Sequence, residues 1–132
     1  MIVFDASTVV SAALKADSVP KRALLRVEEV DVFALSAAVD GEIAEVLDRP
    51  KFAHAIPLAR RNRLLRILRD AAIWFDPTVR VTDCRDPKDD KYLELALAAG
   101  AAIIVSSDDD LLVLHSWRGV HILNPADYLD LG

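Results

Sequence analysis

Short apolar runs separated by helical stretches constrain this chain more than any other feature. "MIVF" at the start, "VFALS" (32–36), "IWF" (73–75), "AAIIVSS" (101–107) and "VHIL" (120–123) read as strands. Their apolar residues are continuous, without the in–out alternation of a half-wet sheet. Strands of that kind are covered on both faces, the condition of a parallel sheet packed between helices. The intervening segments carry helical signals. Residues 6–15 begin after Asp5, and 17–30 have Asp17 or Ser18 as cap and Pro20 in the first turn, where its missing N–H is harmless. Ser36 precedes "AAVDGEIAEVLDR", which stops before Pro50. "IPLARRNRLLRILRDAA" sets Leu58, Leu64, Leu65 and Leu68 on one face. "DDKYLELALAAG" closes on Gly100, "DDDLLVLHSW" reads as a short helix, and "NPADYLDL" as a capped terminal turn. The expected fold is an α/β three-layer α/β/α sandwich with a central, mostly parallel sheet, formed by one domain over 1–132.

Composition narrows the class. With 132 residues and 53% hydrophobic, the chain can bury a real core. No apolar stretch reaches the roughly 18 uncharged residues of a membrane span. The start lacks a basic region and meets Asp5 early, so no signal peptide is expected. The single cysteine, Cys84, excludes a disulfide framework and a cysteine zinc site, and the expected compartment is the cytoplasm. The net charge of −5 runs against the basic balance usual for nucleic-acid binders, so the distribution of charge matters.

The acids are placed rather than scattered. Ligands of open parallel sheets bind beyond the carboxyl ends of the strands. "MIVF" runs into Asp5 and "AAIIVSS" into Asp108, so both should share one edge. "DPKDDKYLELA" opens the helix before the second of these strands and brings Asp86, Asp89 and Asp90 to the same edge. Glu42 lies one turn into the helix after "VFALS". Two carboxylates about 5 Å apart repel by roughly 3 kcal/mol at an effective dielectric near 20. Such a group shares protons or holds a cation, and all-oxygen donors suit Mg²⁺ or Mn²⁺, ions that support phosphate-ester chemistry. Any one of these acids taken alone reads better as a helix cap. The coincidence of two strand-end acids with two helix-start acids favours a site. Asp109 reads as a solvated spacer, and Asp17, Asp40 and Asp83 as caps and surface.

These residues also carry a resemblance. "MIVFDASTVVSAAL", "LSAAVDGEIAEVLDRPKF" and "RDPKDDKYLELALAAGAAIIVSSDDDLL" resemble, in order, the motifs of PIN-domain nucleases, and the toxin-like branch of prokaryotic toxin–antitoxin pairs, relatives of VapC, is the most similar. The resemblance implies a metal-dependent endoribonuclease that hydrolyses RNA phosphodiesters. It implies Asp5, Glu42, Asp89 and Asp108 as the acidic quartet around Mg²⁺ or Mn²⁺. Asp90 is the alternative to Asp89, Asp110 a supporting or water-mediated ligand, and Ser7 the residue that steadies Asp5. It further implies an antitoxin partner and a homodimer, for which the apolar face of an early helix is available. Ser107 stands where the family has glycine. Two other readings remain open: a non-catalytic PIN module that binds RNA or a protein, and another Mg²⁺-dependent phosphohydrolase. An aspartate-based phosphatase wants a second Asp two residues after the first, and position 7 is Ser.

Positive charge concentrates in "ARRNRLLRILR". Arg60, Arg61 and Arg63, with Arg85 in a connector, are candidate contacts to single-stranded or structured RNA, because guanidinium groups bind phosphates bidentately. The alternatives are a solvated helix face or an acidic partner. Trp74 is expected in the core and Trp117 partly exposed. His54, His115 and His121 share no metal-ligand spacing and read as surface or packing residues. Nothing in the sequence places a base beside Cys84.

Overall fold

The computed structural model describes residues 1–15 and 17–131; Ala16 and Gly132, inside the expected domain span, lie outside the described residues. Five short strands form, β1 (Ile2–Phe4), β2 (Ala34–Leu35), β3 (Ile73–Trp74), β4 (Ile103–Val105) and β5 (His121–Leu123). β4 lies between β1 and β5, parallel to both, with Phe4 opposite Val105 and Val105 opposite Leu123. β2 and β3 form a second parallel ladder. A parallel bridge from Ile2 to Phe33 joins the two, and the Ile2 N–H donates to the Val32 carbonyl at 2.8 Å. The order across the sheet is therefore β3–β2–β1–β4–β5. The chain winds outward from β1 to β3, then returns to the other side of β1. The winding reverses between β1 and β4, the position at which a doubly wound sheet opens a crevice at its carboxyl edge.

The helices are α1 (Ala6–Leu14), α2 (Val19–Val30), α3 (Ala37–Leu47), α4 (Pro50–Ala53), α5 (Leu58–Ala71), α6 (Asp90–Ala99), α7 (Asp109–Leu112) and α8 (Pro125–Asp130), with a 3-10 turn over Pro87–Asp89. Local chemistry starts and stops them. Ser18 caps α2 by accepting the Lys21 N–H at 3.2 Å, and Ser36 caps α3 by accepting the Val39 N–H at 3.3 Å. Gly100 ends α6 in the left-handed region at φ 62°, a conformation that costs a residue with a Cβ. Val3, Phe4, Leu35, Ile104 and Val105 from the strands are fully buried against Val9, Ile43, Leu93 and Leu95 from the helices. The architecture is an α/β sandwich around a parallel sheet.

Several elements differ from expectation. The strand expected over 32–36 shrinks to two residues, because Ser36 leaves the ladder to cap α3. The helix expected up to residue 49 ends at Leu47, and Pro50 starts the separate α4 instead of merely ending its predecessor. α7 stops at Leu112, because Trp117 and Val120 exchange two backbone hydrogen bonds of 2.9 and 2.7 Å around a turn, with Arg118 and Gly119 at positive φ. Leu58 is exposed, since it sits on the first turn of α5, and of that helix Leu68 alone is buried.

The tryptophans exchange places. Trp74 is 45% exposed, because β3 is an edge strand with one side uncovered, and its ring N–H donates to the Arg69 carbonyl. Trp117 is buried, with its ring N–H donating to Asp83 at 2.8 Å. Asp83 is exposed, as expected of a surface acid, and also accepts from this buried ring and pairs with Arg118 at 3.2 Å. The His115 and His121 rings lie 5.4 Å apart, and His115 Nδ1 accepts the Ile122 N–H, which makes this pair part of the β5 packing.

Candidate metal centre

The crevice is built from the ends of β1 and β4. Asp5 leaves β1 in extended conformation and caps α1, its Oδ1 accepting the Thr8 N–H at 2.9 Å. Its Oδ2 accepts from the hydroxyls of Ser7, at 3.1 Å, and Ser106. Asp5 is 3% exposed. Burial pushes its carboxyl up from the usual range, and these hydrogen bonds counter part of that push. Ser106, fully buried just past β4, acts in both directions: it donates to Asp5 and accepts the Asp108 N–H at 2.9 Å. One hydroxyl thereby couples the two strand ends. Asp108 then caps α7, accepting the Asp110 N–H at 2.9 Å, while Asp109 faces solvent.

Asp89, at the end of the 3-10 turn, comes up against Asp108. It is buried, and its Oδ2 has no hydrogen-bond partner among the described residues. Burial raises its pKa to about 7, followed by the hydrogen-bonding contact with Asp108 and the charges of Asp108, Asp86 and Glu42. Two carboxyls in such contact need a proton or a cation between them. Oxygens of Asp86, Asp89 and Asp110 lie within 4.8 Å of one another. Arg85 pairs with Asp110 Oδ1 at 2.9 Å, so this arginine sits at the acidic cluster.

Glu42 reaches the site from α3. Its Oε1 accepts the Tyr92 hydroxyl at 2.8 Å, and its Oε2 pairs with the Lys91 ammonium. The same Tyr92 oxygen accepts the Ala6 N–H at 3.0 Å and so ties Glu42 to the start of α1. Burial pushes the Tyr92 phenol well above its ordinary range, so it remains a donor.

Asp90 behaves differently from its neighbour. Its Oδ1 accepts the Cys84 N–H at 2.9 Å, which pins the connector to α6. Cys84 is buried, its thiol donates to the Asp110 carbonyl at 3.4 Å, and burial pushes that thiol up, away from the reactive thiolate.

The structure therefore brings Asp89, Asp108, Asp86 and Asp110 together, seats Asp5 one hydroxyl away from Asp108, and holds Glu42 close enough for its charge to act on Asp89. Sequence reasoning missed Ser106, Tyr92 and Lys91. The serine before a glycine-like position and the hydroxyl three residues after Asp89 were the available signals. The donor set is entirely oxygen, and a buried carboxylate oxygen stands without a donor. Both features fit a hard divalent cation, with Asp5 and Asp89 the most buried of the candidate acids.

The model of the PIN domain family matches residues 1–110. This chain belongs to the PIN domain family. The uncharacterized protein MJ1680 of Methanocaldococcus jannaschii is 30% identical over 117 residues, which span 86% of this chain and 74% of that protein. Among solved structures, the PIN chain is similar to a chain of VapBC2 from Rickettsia felis, determined bound to a DNA fragment from their promoter. The TM-score is 0.63 at 14% identity, covering 94% of this chain and 98% of that one. At that identity the likeness speaks for the fold. Among the described residues, no helix is long and apolar enough to cross a membrane.

The arginines of α5 are placed less uniformly than their spacing suggests. Arg61 pairs with Asp48 at 2.9 Å and Arg69 with Asp40 at 2.7 Å. Arg60 donates to the Ala13 carbonyl at 3.1 Å. Arg63 has no ion-pair partner among the described residues and lines a groove with Lys21 and Arg60.

Proposed function

We propose that this chain is a Mg²⁺- or Mn²⁺-dependent endoribonuclease and the toxin of a type II toxin–antitoxin pair. The observation that carries this reading is the Asp89–Asp108 contact at the switch point of the sheet, with Asp89 Oδ2 buried and unpaired. Asp5, Glu42, Asp89 and Asp108 would hold the ion. Ser7 and Ser106 fix the Asp5 carboxylate, Asp110 supports the site from the first turn of α7, and Asp90 supports it through the connector. A bound ion of this kind lowers the pKa of its water and stabilises charge on a phosphoryl oxygen. The chain's own part is to gather carboxylates that would otherwise repel, and to orient them. Tyr92 and Ser106 orient Glu42 and Asp5 with neutral donors, while the Lys91 ammonium offsets part of the charge of Glu42. Among the described residues no histidine joins the cluster of Asp86, Asp89 and Asp110, so no imidazole serves as general base in this reading.

The PIN family membership and the likeness to VapBC2 support the toxin role and a cognate antitoxin. RNA, single-stranded or structured, is the proposed substrate, with Arg60, Arg61, Arg63 and Arg85 as candidate contacts. A homodimer is proposed through the exposed apolar residues Leu14, Leu25 and Val30. A cytoplasmic location follows from this role. The test is cleavage of labelled single-stranded RNA with Mn²⁺ or Mg²⁺, beside an EDTA control and the Asp89→Asn variant. The reading predicts cleavage that both controls abolish. An Asp89→Asn protein that cuts at the wild-type rate contradicts it.

A further inference from the structure

The Arg-Pro-Lys-Phe segment has no part in the acidic centre, yet the fold sets it against that centre. α4 follows α3 after two residues, and Arg49, just before it, reaches back to pair with Glu45, which lies one turn along α3 from Glu42. Two open clefts meet at Glu42 and Arg49. One, of about 430 Å³, is lined by Asp86, Lys88 and Asp89 in addition to these two. The other, of about 300 Å³, is lined by Ser7, Ser11, Lys51 and Phe52. Both volumes fall in the range of ligand clefts. A continuous trough thus passes over the acids, with Lys88 on one side, Arg49 at the middle and Lys51 on the other.

Lys91 lines the first cleft too but is engaged by Glu42, whereas the other three cations are held loosely. Arg49 pairs bidentately with Glu45 at 3.1 and 2.9 Å, but both side chains are more than half exposed, and exposed pairs of this kind contribute little. Lys51 lies over the Phe52 ring at 5.0 Å, and neither it nor Lys88 has a carboxylate partner within ion-pair distance among the described residues. A phosphodiester can therefore take these cations without breaking a buried interaction. By contrast, the groove of Arg60 and Arg63 shares no lining residue with either cleft.

We propose that Arg49, Lys51 and Lys88 form a phosphate track that carries a single-stranded RNA backbone across Glu42. The track rests on the nuclease reading for its substrate, and α4 is its clamp. It, rather than α5, makes the principal backbone contacts. The exposed Ser11 supplies a hydroxyl donor along the same wall.

Binding separates this proposal from the catalytic one. Fluorescence anisotropy of a labelled single-stranded RNA of mixed sequence is followed as salt is raised, with Asp89→Asn as the parent so that the probe survives. Adding Arg49→Ala and Lys51→Ala should weaken binding several-fold and lower the log–log salt slope by about 0.7 for each cation removed. Arg60→Ala with Arg63→Ala should cost less in both measures, and the exposed Arg22→Ala reports the effect of net charge alone. A DNA strand of the same sequence tests whether the track needs the ribose. Equal binding leaves a general phosphate track, and weaker DNA binding assigns it to RNA. A larger loss from the α5 pair, or an unchanged slope in the Arg49/Lys51 variant, overturns the proposal. Wild-type cleavage together with an unchanged slope removes the track and leaves the nuclease. The expected slope change without any wild-type cleavage does the reverse.

Discussion

Asp89 and Asp90 are adjacent and almost equally buried, at 7% and 8% exposure, yet they face two different regions of the molecule. Asp90 looks toward the connector and receives the Cys84 N–H. Asp89 looks into the crevice, meets Asp108, and has an oxygen that no donor reaches. The first is a finished structural contact and the second an unfinished one. Burial alone therefore does not mark a functional acid; what burial leaves unsatisfied does.

The comparison can be broken by substitution. The largest effect is expected at Asp89, where Asn should reduce RNA cleavage by about 10²–10³-fold or more, the several kcal/mol a ligated ion gives the transition state. Initial rates at saturating Mn²⁺ measure it. Asp90→Ala should act on the fold. It strands the buried Cys84 N–H and should cost about 1–3 kcal/mol, read as a lower Tm, whereas Asp90→Asn keeps an acceptor and should recover most of it. Equal loss of Tm in both Asp90 variants would erase the distinction between the two acids.

Tyr92→Phe sharpens the comparison from the side of Glu42. It removes the hydroxyl shared by Ala6 and Glu42 and should weaken Mn²⁺ binding by about tenfold, as loss of an orienting group beyond the ligands does. The smallest effect is on pH-dependent stability. The Asp89 carboxyl, raised from 3.8 to about 7, binds its proton more readily in the folded protein than in the unfolded chain. That stabilisation is complete below about pH 4 and lost as pH rises through about 7. In metal-free buffer, the Tm of Asp89→Asn relative to wild type should therefore rise between pH 5 and pH 8, by an amount on the order of 1 kcal/mol, or a few degrees. A difference that stays flat with pH would mean that Asp89 is not strained by its neighbours.

Much of this is legible in the sequence. Asp5 and Asp108 at strand ends, the cap at Ser36 and the stop at Gly100 are local signals, and local signals survive in a sequence. Asp89 against Asp90 was open, because adjacent helix-start acids have the same pattern and differ only in what packs beside them. Ser106 and Tyr92 were missed because their hydrogen bonds join residues 101, 86 and 50 positions apart, and such contacts leave no period. Trp74 was misplaced for the opposite reason. An apolar run predicts a strand but not whether that strand is an edge.

Calorimetric titration of Mn²⁺ into the wild type, Asp89→Asn and Asp90→Asn tests the central claim most directly. Wild type and Asp90→Asn should bind alike, and Asp89→Asn at least about tenfold more weakly. Binding that survives in Asp89→Asn and fails in Asp90→Asn would contradict the assignment, and a wild type that binds no Mn²⁺ would contradict the metal centre itself.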